Sequence, residues 1–339
     1  MLKHHWYIAC ASKKIARKPH AFEAFNTPLV AFRTRDGDVA VLEDRCAHRN
    51  APLSAGFVDG SLLRCPYHGW GYNTTGTAEH IPARPEEETT TRKSKKCVKA
   101  FEALEQDGYI WFCMASPVAQ ERPVPFEHIN DAGWTTFRMN TLFNGSVESC
   151  LENFLDCPHA TFVHNFWFRK PTAKTVHADV STTSDGAIAN YFDEPREGSV
   201  VWNLLSRKKS SMVHTDRFIA PATTKVDYIF SDNRHYIITS SCTPETDKRT
   251  RVHTVITFKF GKLSWFIRLF FEPLSRWIIS QDVRMVALQQ KNIERFGTKQ
   301  YNIIEQDLLF NHITHWRRAM EQNSEPPQAT ETRKIELRL

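Results

Sequence analysis

The sequence predicts an α+β chain. An N-terminal all-β domain is expected over residues 1–118, and a second domain with a central antiparallel sheet flanked by helices over 119–339. Three observations predict this. The first third runs in short apolar–polar alternations punctuated by turn dipeptides, the pattern of half-buried strands joined by hairpins. A stretch carrying Pro117, Pro123 and Pro125 then breaks the pattern and suits a domain boundary. Beyond it, strand-like segments give way to two long runs of helical periodicity.

Taken in order, residues 28–33 and 38–43 alternate about Asp36-Gly37, a strong hairpin signal. Residues 56–63 repeat the pattern about Asp59-Gly60. Residues 79–100 are polar and charged, and read as a mobile insert with little capacity to form a core. Order is expected to return at Tyr109–Met114, a buried strand closing the small domain. In the second domain a helix is predicted over roughly 147–165. Strands are predicted near 186–192, 199–205, 225–231, 235–242 and 251–260, and helices over 264–296 and 302–322. The polar tail from Gln322 is expected to be partly disordered, with its last residues available to dock as a strand.

Composition excludes several functions. With 41% apolar and 24% charged residues the chain reads as an ordinary soluble protein, and 339 residues suffice for two cores. The balance is mildly basic, but neither basic run, 92–96 nor 207–209, is interleaved with aromatics. Solvated loops therefore fit better than a nucleic-acid surface, with docking of an acidic ferredoxin as a second reading. The eight cysteines are spread too thinly for a disulfide framework. The opening residues have no signal-peptide core and no run is apolar enough to span a bilayer, which points to the cytoplasm. There is no glycine-rich phosphate loop.

The most informative stretch is Cys46 to His68. It offers Cys46-x-His48, sixteen intervening residues, and Cys65-x-x-His68. Two thiolates and two imidazoles suit an iron–sulfur cluster or zinc and suit magnesium or calcium poorly. A structural zinc site usually draws two sulfurs from one turn, whereas each pair here is mixed. The layout fits a two-iron cluster with Cys46 and Cys65 on one iron and His48 and His68 on the other; zinc is the alternative. Trp70 is placed to shield such a cluster or simply to pack beneath it.

C-x-H followed by C-P-Y-H-G-W resembles the Rieske domain of the non-haem iron ring-hydroxylating and demethylating oxygenases. Respiratory Rieske proteins carry an extra cysteine after each pair, which this chain lacks. The resemblance implies a Rieske [2Fe-2S] domain over 1–118 and a catalytic mononuclear non-haem iron domain over 119–339.

A second constellation lies in N-F-L-D-C-P-H-A-T-F-V-H, residues 153–164. His159 and His164, with a carboxylate, form the ligand set of a facial triad that leaves positions open for dioxygen. Five residues on an ideal helix turn through about 140°, so the two imidazoles need a distorted turn such as a π-bulge. The segment resembles the catalytic-iron motif of the same family, which implies His159 and His164 as iron(II) ligands. The distant carboxylate is then Asp282, which resembles the family's late acidic ligand followed by a glutamine; Asp307 is the rival. Asp156, one turn before His159, is placed for a hydrogen bond to an imidazole. By resemblance it bridges His159 to His68 of the next protomer in a homotrimer and carries the electron across. Asn153 and, less directly, Glu152 match positions near the iron.

The aromatic stretch 263–279 running into Asp282 reads as core or pocket wall, or else as an interfacial helix against a membrane or lipid-like substrate. With Phe162, Phe166, Trp167 and Phe168 it suggests a pocket for a bulky, largely apolar ring compound. Layout is similar to the single-subunit oxygenases, which include vanillate- and dicamba-type demethylases and steroid hydroxylases. That implies hydroxylation or oxidative demethylation, with dioxygen as co-substrate and a separate reductase, with or without a ferredoxin, as electron donor. The alternatives are a cis-dihydroxylating dioxygenase and a Rieske electron-transfer or ligand-binding protein without oxygenase activity.

Overall fold

The computed structural model describes residues 2–84, 97–117, 121–164, 167, 174–192, 194, 212–261, 264–329 and 331–338. The chain forms two compact units, Lys3–Pro125 and Phe126–Leu339.

The first unit is all β. Its strands are β1 (Trp6–Ala11), β2 (His20–Ala24), β3 (Thr27–Arg33), β4 (Val39–Glu43), β5 (Phe57–Asp59), β6 (Leu62–Arg64), β7 (Gly71–Tyr72), β8 (Ala78–His80), β9 (Ala100–Gln106) and β10 (Tyr109–Cys113). One sheet has the order β1-β10-β9-β4-β3-β2 and the other β5-β6-β7-β8. The predicted hairpin is β3–β4, and β10 is buried along its whole length. Gly76 turns at φ +76°, and a Cβ there would sit 2.0 Å from the Val98 carbonyl oxygen, so only glycine fits. Of the mobile insert predicted over 79–100, residues 79 and 80 belong to strand β8, Cys97 bridges to Thr77 and Ala100 opens β9, while 85–96 lies outside the described residues.

The second unit is built on one antiparallel sheet. Its strands are β11 (Thr135–Phe143), β12 (Thr175–Thr183), β13 (Gly186–Phe192), β14 (Met212–Ile219), β15 (Thr223–Phe230), β16 (His235–Thr246), β17 (Arg249–Lys259) and β18 (Arg333–Arg338). Their order is β11-β17-β16-β15-β14-β13-β12-β18, so the tail does dock as a strand, on β12. The helices are α1 (Val147–Leu155), α2 (His159–Val163), α3 (Ser264–Phe296) and α4 (Phe310–Glu321). The single helix expected over 147–165 is two: α1 ends at Asp156, and Pro158 starts α2 because its ring cannot continue the preceding helix. Strands β11, β12 and β14 were not anticipated, and the strand expected near 199–205 lies outside the described residues. Among the described residues no helix is long and apolar enough to cross a membrane.

Candidate iron–sulfur and mononuclear metal sites

The two loops of the first unit are built alike. The Cys46 N–H donates to the Ala51 carbonyl and its own carbonyl accepts from Asn50; Cys65 does the same with Trp70 and Gly69. Both closing residues, Asn50 at φ +59° and Gly69 at φ +68°, are left-handed, which Asn and Gly tolerate best. Each loop thus presents a cysteine and, two or three residues on, a histidine from the same tight turn. The Asp44 carboxylate pins the first loop by accepting from the Ser54 N–H and hydroxyl at 2.7 and 2.6 Å.

Cys46 and Cys65 are buried in a core cluster with Leu42, Leu63, Trp70 and Tyr72, whereas His48 and His68 are exposed. The imidazole rings lie 4.7 Å apart, and His48 stacks on Trp70 at 4.8 Å. Trp70 therefore both packs in the core and covers one imidazole. The Tyr72 hydroxyl lies 3.2 Å from the Cys46 sulfur and accepts from the Ala47 N–H at 3.1 Å. Burial pushes the Cys65 thiol up, the Tyr67 and His68 N–H groups beside it pull the other way, and neighbouring Cys46 adds to the rise. Two buried, unbridged thiols opposite two exposed imidazoles suit a cluster with one iron inward and one at the surface.

The second unit gathers the other predicted ligands. His159 opens α2 and His164 caps its end at φ −101°, ψ 27°, outside helical geometry. Ending the helix, rather than a π-bulge, is what lets residues five apart converge. Their Nε2 atoms are 3.3 Å apart, and Asp282 Oδ1 on α3 lies 3.5 Å from His159 Nε2 and 3.2 Å from His164 Nε2. All three ligand atoms fall within 4.8 Å of one another.

The orientation of each imidazole is fixed from behind. His159 Nδ1–H donates to the main-chain carbonyl of Asp156, rather than to its carboxylate, and His164 Nδ1–H donates to Gln281 Oε1 at 2.9 Å. Both bonds select the tautomer whose Nε2 lone pair points at the shared position. Asp282 Oδ1 is buried without a hydrogen-bond donor aligned to it. Burial would raise that carboxyl, but the two imidazoles hold it below the usual range. An acceptor-only cluster of two lone pairs and one buried carboxylate suits a divalent cation, and two-histidine-one-carboxylate sets suit non-haem iron(II).

Asp307 is not in this group: its carboxylate accepts from the Ile304 N–H at 2.9 Å. The Asp156 carboxylate instead lines a cavity, and burial raises its pKa against the pull of His159. Asn153 and Glu152 line a cleft on the other side of Asp156 and His159, and Asn153 Oδ1 is buried with no partner among the described residues. Burial, and then Asp156, push the Glu152 carboxyl up to about 7. Gln281 was overlooked; its one legible signal was its place next to Asp282.

The cavity of about 130 Å3 opens beside the three ligands. Its floor is the face of the sheet, laid down in cross-strand rows. Thr224, Ser240, Thr254 and Met139 form one row, and Asp216, Val226, Ile238 and Ile256 the next. His214, Tyr228 and Tyr236 form the third, and Ser275, Ile278, Ile279 and Asp282 of α3 also line it. Thus one side of the aromatic stretch 263–279 is pocket wall, whereas Trp265, Leu269 and Phe270 on it are 60–64% exposed. Phe162 is 77% exposed and is not part of the pocket, contrary to expectation, because it points off a short surface helix. Trp167 packs on Trp277 at 5.2 Å, and Phe166 and Phe168 lie outside the described residues.

Comparison with known proteins agrees with this layout. Residues 5–102 match the Rieske [2Fe-2S] domain and residues 143–324 the vanillate O-demethylase oxygenase C-terminal domain. The toluene-4-sulfonate monooxygenase system iron–sulfur subunit TsaM1 of Comamonas testosteroni is 30% identical over 47% of this chain and 45% of its own length. Dicamba O-demethylase of Stenotrophomonas maltophilia is 32% identical over 47% of this chain and 46% of its own. Chlorophyllide a oxygenase of Arabidopsis thaliana is 24% identical over 96% of this chain and 59% of its own. The matches thus span less than two thirds of these relatives. Among solved structures, dicamba monooxygenase bound to 3,6-dichlorosalicylic acid superposes at TM-score 0.81 with 22% identity, over 95% of this chain and 98% of that one. Caffeine-bound NdmA of Pseudomonas putida superposes at 0.79 with 21% identity, over 95% and 93%.

Proposed function

Because this chain belongs to the Rieske oxygenases with a vanillate O-demethylase-type C-terminal domain, we propose that it is a terminal oxygenase that hydroxylates or oxidatively demethylates a ring-containing substrate. The observation that carries this reading is the convergence of His159 Nε2, His164 Nε2 and Asp282 Oδ1 beside the cavity. Those three residues would hold iron(II), and Cys46, His48, Cys65 and His68 a Rieske cluster. When bound, the iron supplies dioxygen activation with electrons passed singly from the cluster. Asp156 O and Gln281 hold the imidazoles, while the apolar side chains of the lining, Val226, Ile238 and Ile256 among them, pack against the ring. Relatives named as demethylases and monooxygenases support monooxygenation over cis-dihydroxylation. Three converging metal donors beside the cavity favour this reading over a ligand-binding protein without oxygenase activity.

The electron donor is a separate reductase, with or without a ferredoxin, and the place of action is the cytoplasm. The working unit we propose is a homotrimer in which the Asp156 carboxylate connects His159 with His68 of the partner subunit. What supports that role is the place of the carboxylate beside His159, whose charge and backbone N–H both act on it. The test is oxygen uptake with a generic reductase across ring substrates. His159→Ala is expected to abolish turnover and leave the cluster spectrum intact, and Asp156→Asn to slow single-turnover electron delivery without emptying the iron site. Full turnover in His159→Ala would overturn the assignment.

A further inference from the structure

The cavity floor carries a charged assembly that dioxygen chemistry does not call for. Tyr191, His214 and Tyr228 lie directly opposite one another on β13, β14 and β15, so their rings stack in register. The His214 ring sits 4.5 Å from Tyr191 and 4.3 Å from Tyr228, nearly parallel to both. Its edges meet two carboxylates: Nδ1 lies 2.7 Å from Glu194 and Nε2 3.0 Å from Asp216 Oδ1. All three side chains are at most 3% exposed. A ring with an acceptor at each nitrogen is an imidazolium, and the aromatic faces favour the cation. Burial would lower the pKa of this ring, but Tyr228, Asp216 and Glu194 hold it well above its ordinary range.

Two carboxylates around one imidazolium leave a net negative charge. His214 engages only Oδ1 of Asp216, which leaves the second oxygen to whatever occupies the cavity. Asp216 heads the cross-strand row Val226, Ile238 and Ile256 and is the one charged residue in that row. Asp156 adds another carboxylate, and among the described residues no lysine or arginine lines the space. At the Asp216 end of the cavity a carboxylate or sulfonate meets like charge, with no lysine or arginine among the described lining residues to offset it.

We propose that Asp216, clamped by His214, is the specificity anchor of this cavity, and that it selects ring substrates presenting an N–H, O–H or ammonium group over carboxylates and sulfonates. This rests on reading the cavity as the substrate site. The test is calorimetric titration of the iron-loaded protein with three probes sharing one ring: 4-methylbenzylamine, 4-methylbenzyl alcohol and 4-methylbenzoate. The amine and alcohol are expected to bind about tenfold or more tighter than the carboxylate, the scale of one hydrogen bond to a buried charge. Asp216→Asn is expected to collapse the amine-to-carboxylate ratio toward one. A purely structural role would weaken all three alike and leave the ratio standing. Equal or tighter binding of 4-methylbenzoate by the wild type, an unchanged ratio in the variant, or binding of none of the probes overturns the proposal. The wild-type ranking decides alone where the variant does not fold. Nitrosyl-iron spectra of the same samples separate the two readings. A missing signal with the ranking intact sinks the oxygenase assignment, and a present signal with the ranking reversed sinks only the anchor.

Discussion

Replacing Tyr72 by Phe tests the cluster loops through one hydrogen bond. The hydroxyl lies 3.2 Å from Cys46 Sγ inside a packed core, and burial, then Cys46 itself, raise its pKa, so it stays protonated. With Cys46 as a cluster thiolate, Tyr72 must be the donor. Reduction adds negative charge to the cluster, which strengthens that bond and raises the potential. Taking half of a roughly 2 kcal/mol charge-assisted bond as gained on reduction gives about 1 kcal/mol, or about 40 mV for one electron. Tyr72→Phe is therefore expected to lower the reduction potential by about 40 mV. It also leaves the Ala47 N–H without its acceptor, at a stability cost of about 1–3 kcal/mol. The assay is spectroelectrochemical titration of the visible absorption bands, wild type beside variant. A potential that stays put or rises while the cluster remains intact would refute the placement of Cys46 at the cluster.

Gln281→Leu removes the acceptor for His164 Nδ1–H and is expected to weaken iron binding about 10–100-fold with the cluster spectrum unchanged; chelator competition measures it, and unaltered affinity contradicts the positioning role. Glu152 has a folded pKa of about 7, raised by burial and then by Asp156. Below the unfolded value, near 4.5, both states hold the proton and nothing is lost. Above it the unfolded chain ionises first, so stability falls as pH rises and levels off past the folded value. Glu152→Gln removes that penalty, and its stability gain is expected to be near zero at pH 4 and roughly 1–3 kcal/mol at pH 8. Denaturant melts at the two pH values check this, and a gain equal at both would sink it.

The chemistry was more legible than the scaffold that holds it. Cys46, His48, Cys65 and His68 stood out because cysteine and histidine at short spacing form a metal-binding pattern, and the structure brings each pair onto one tight turn. The spacing of His159 and His164 posed a geometric problem whose answer, a helix that stops at His164 after a single short run, no local pattern announced. Strand β14 escaped notice because its inward face carries His214 and Asp216, so hydropathy alternation is inverted where the cavity needs charge. The inward row of β12, Val176, Ala178, Val180 and Thr182, is small and weakly apolar. Cross-strand register, which stacks Tyr191, His214 and Tyr228 from positions far apart in sequence, is a tertiary property that no local pattern reports.

Iron and labile-sulfide analysis of the purified protein, beside Asp282→Ala, tests the two-centre account most directly. A [2Fe-2S] cluster plus one mononuclear site predicts about three irons and about two sulfides per chain, falling to about two irons with sulfide unchanged in the variant. Two irons in both proteins would contradict the mononuclear site, and iron without sulfide would contradict the cluster.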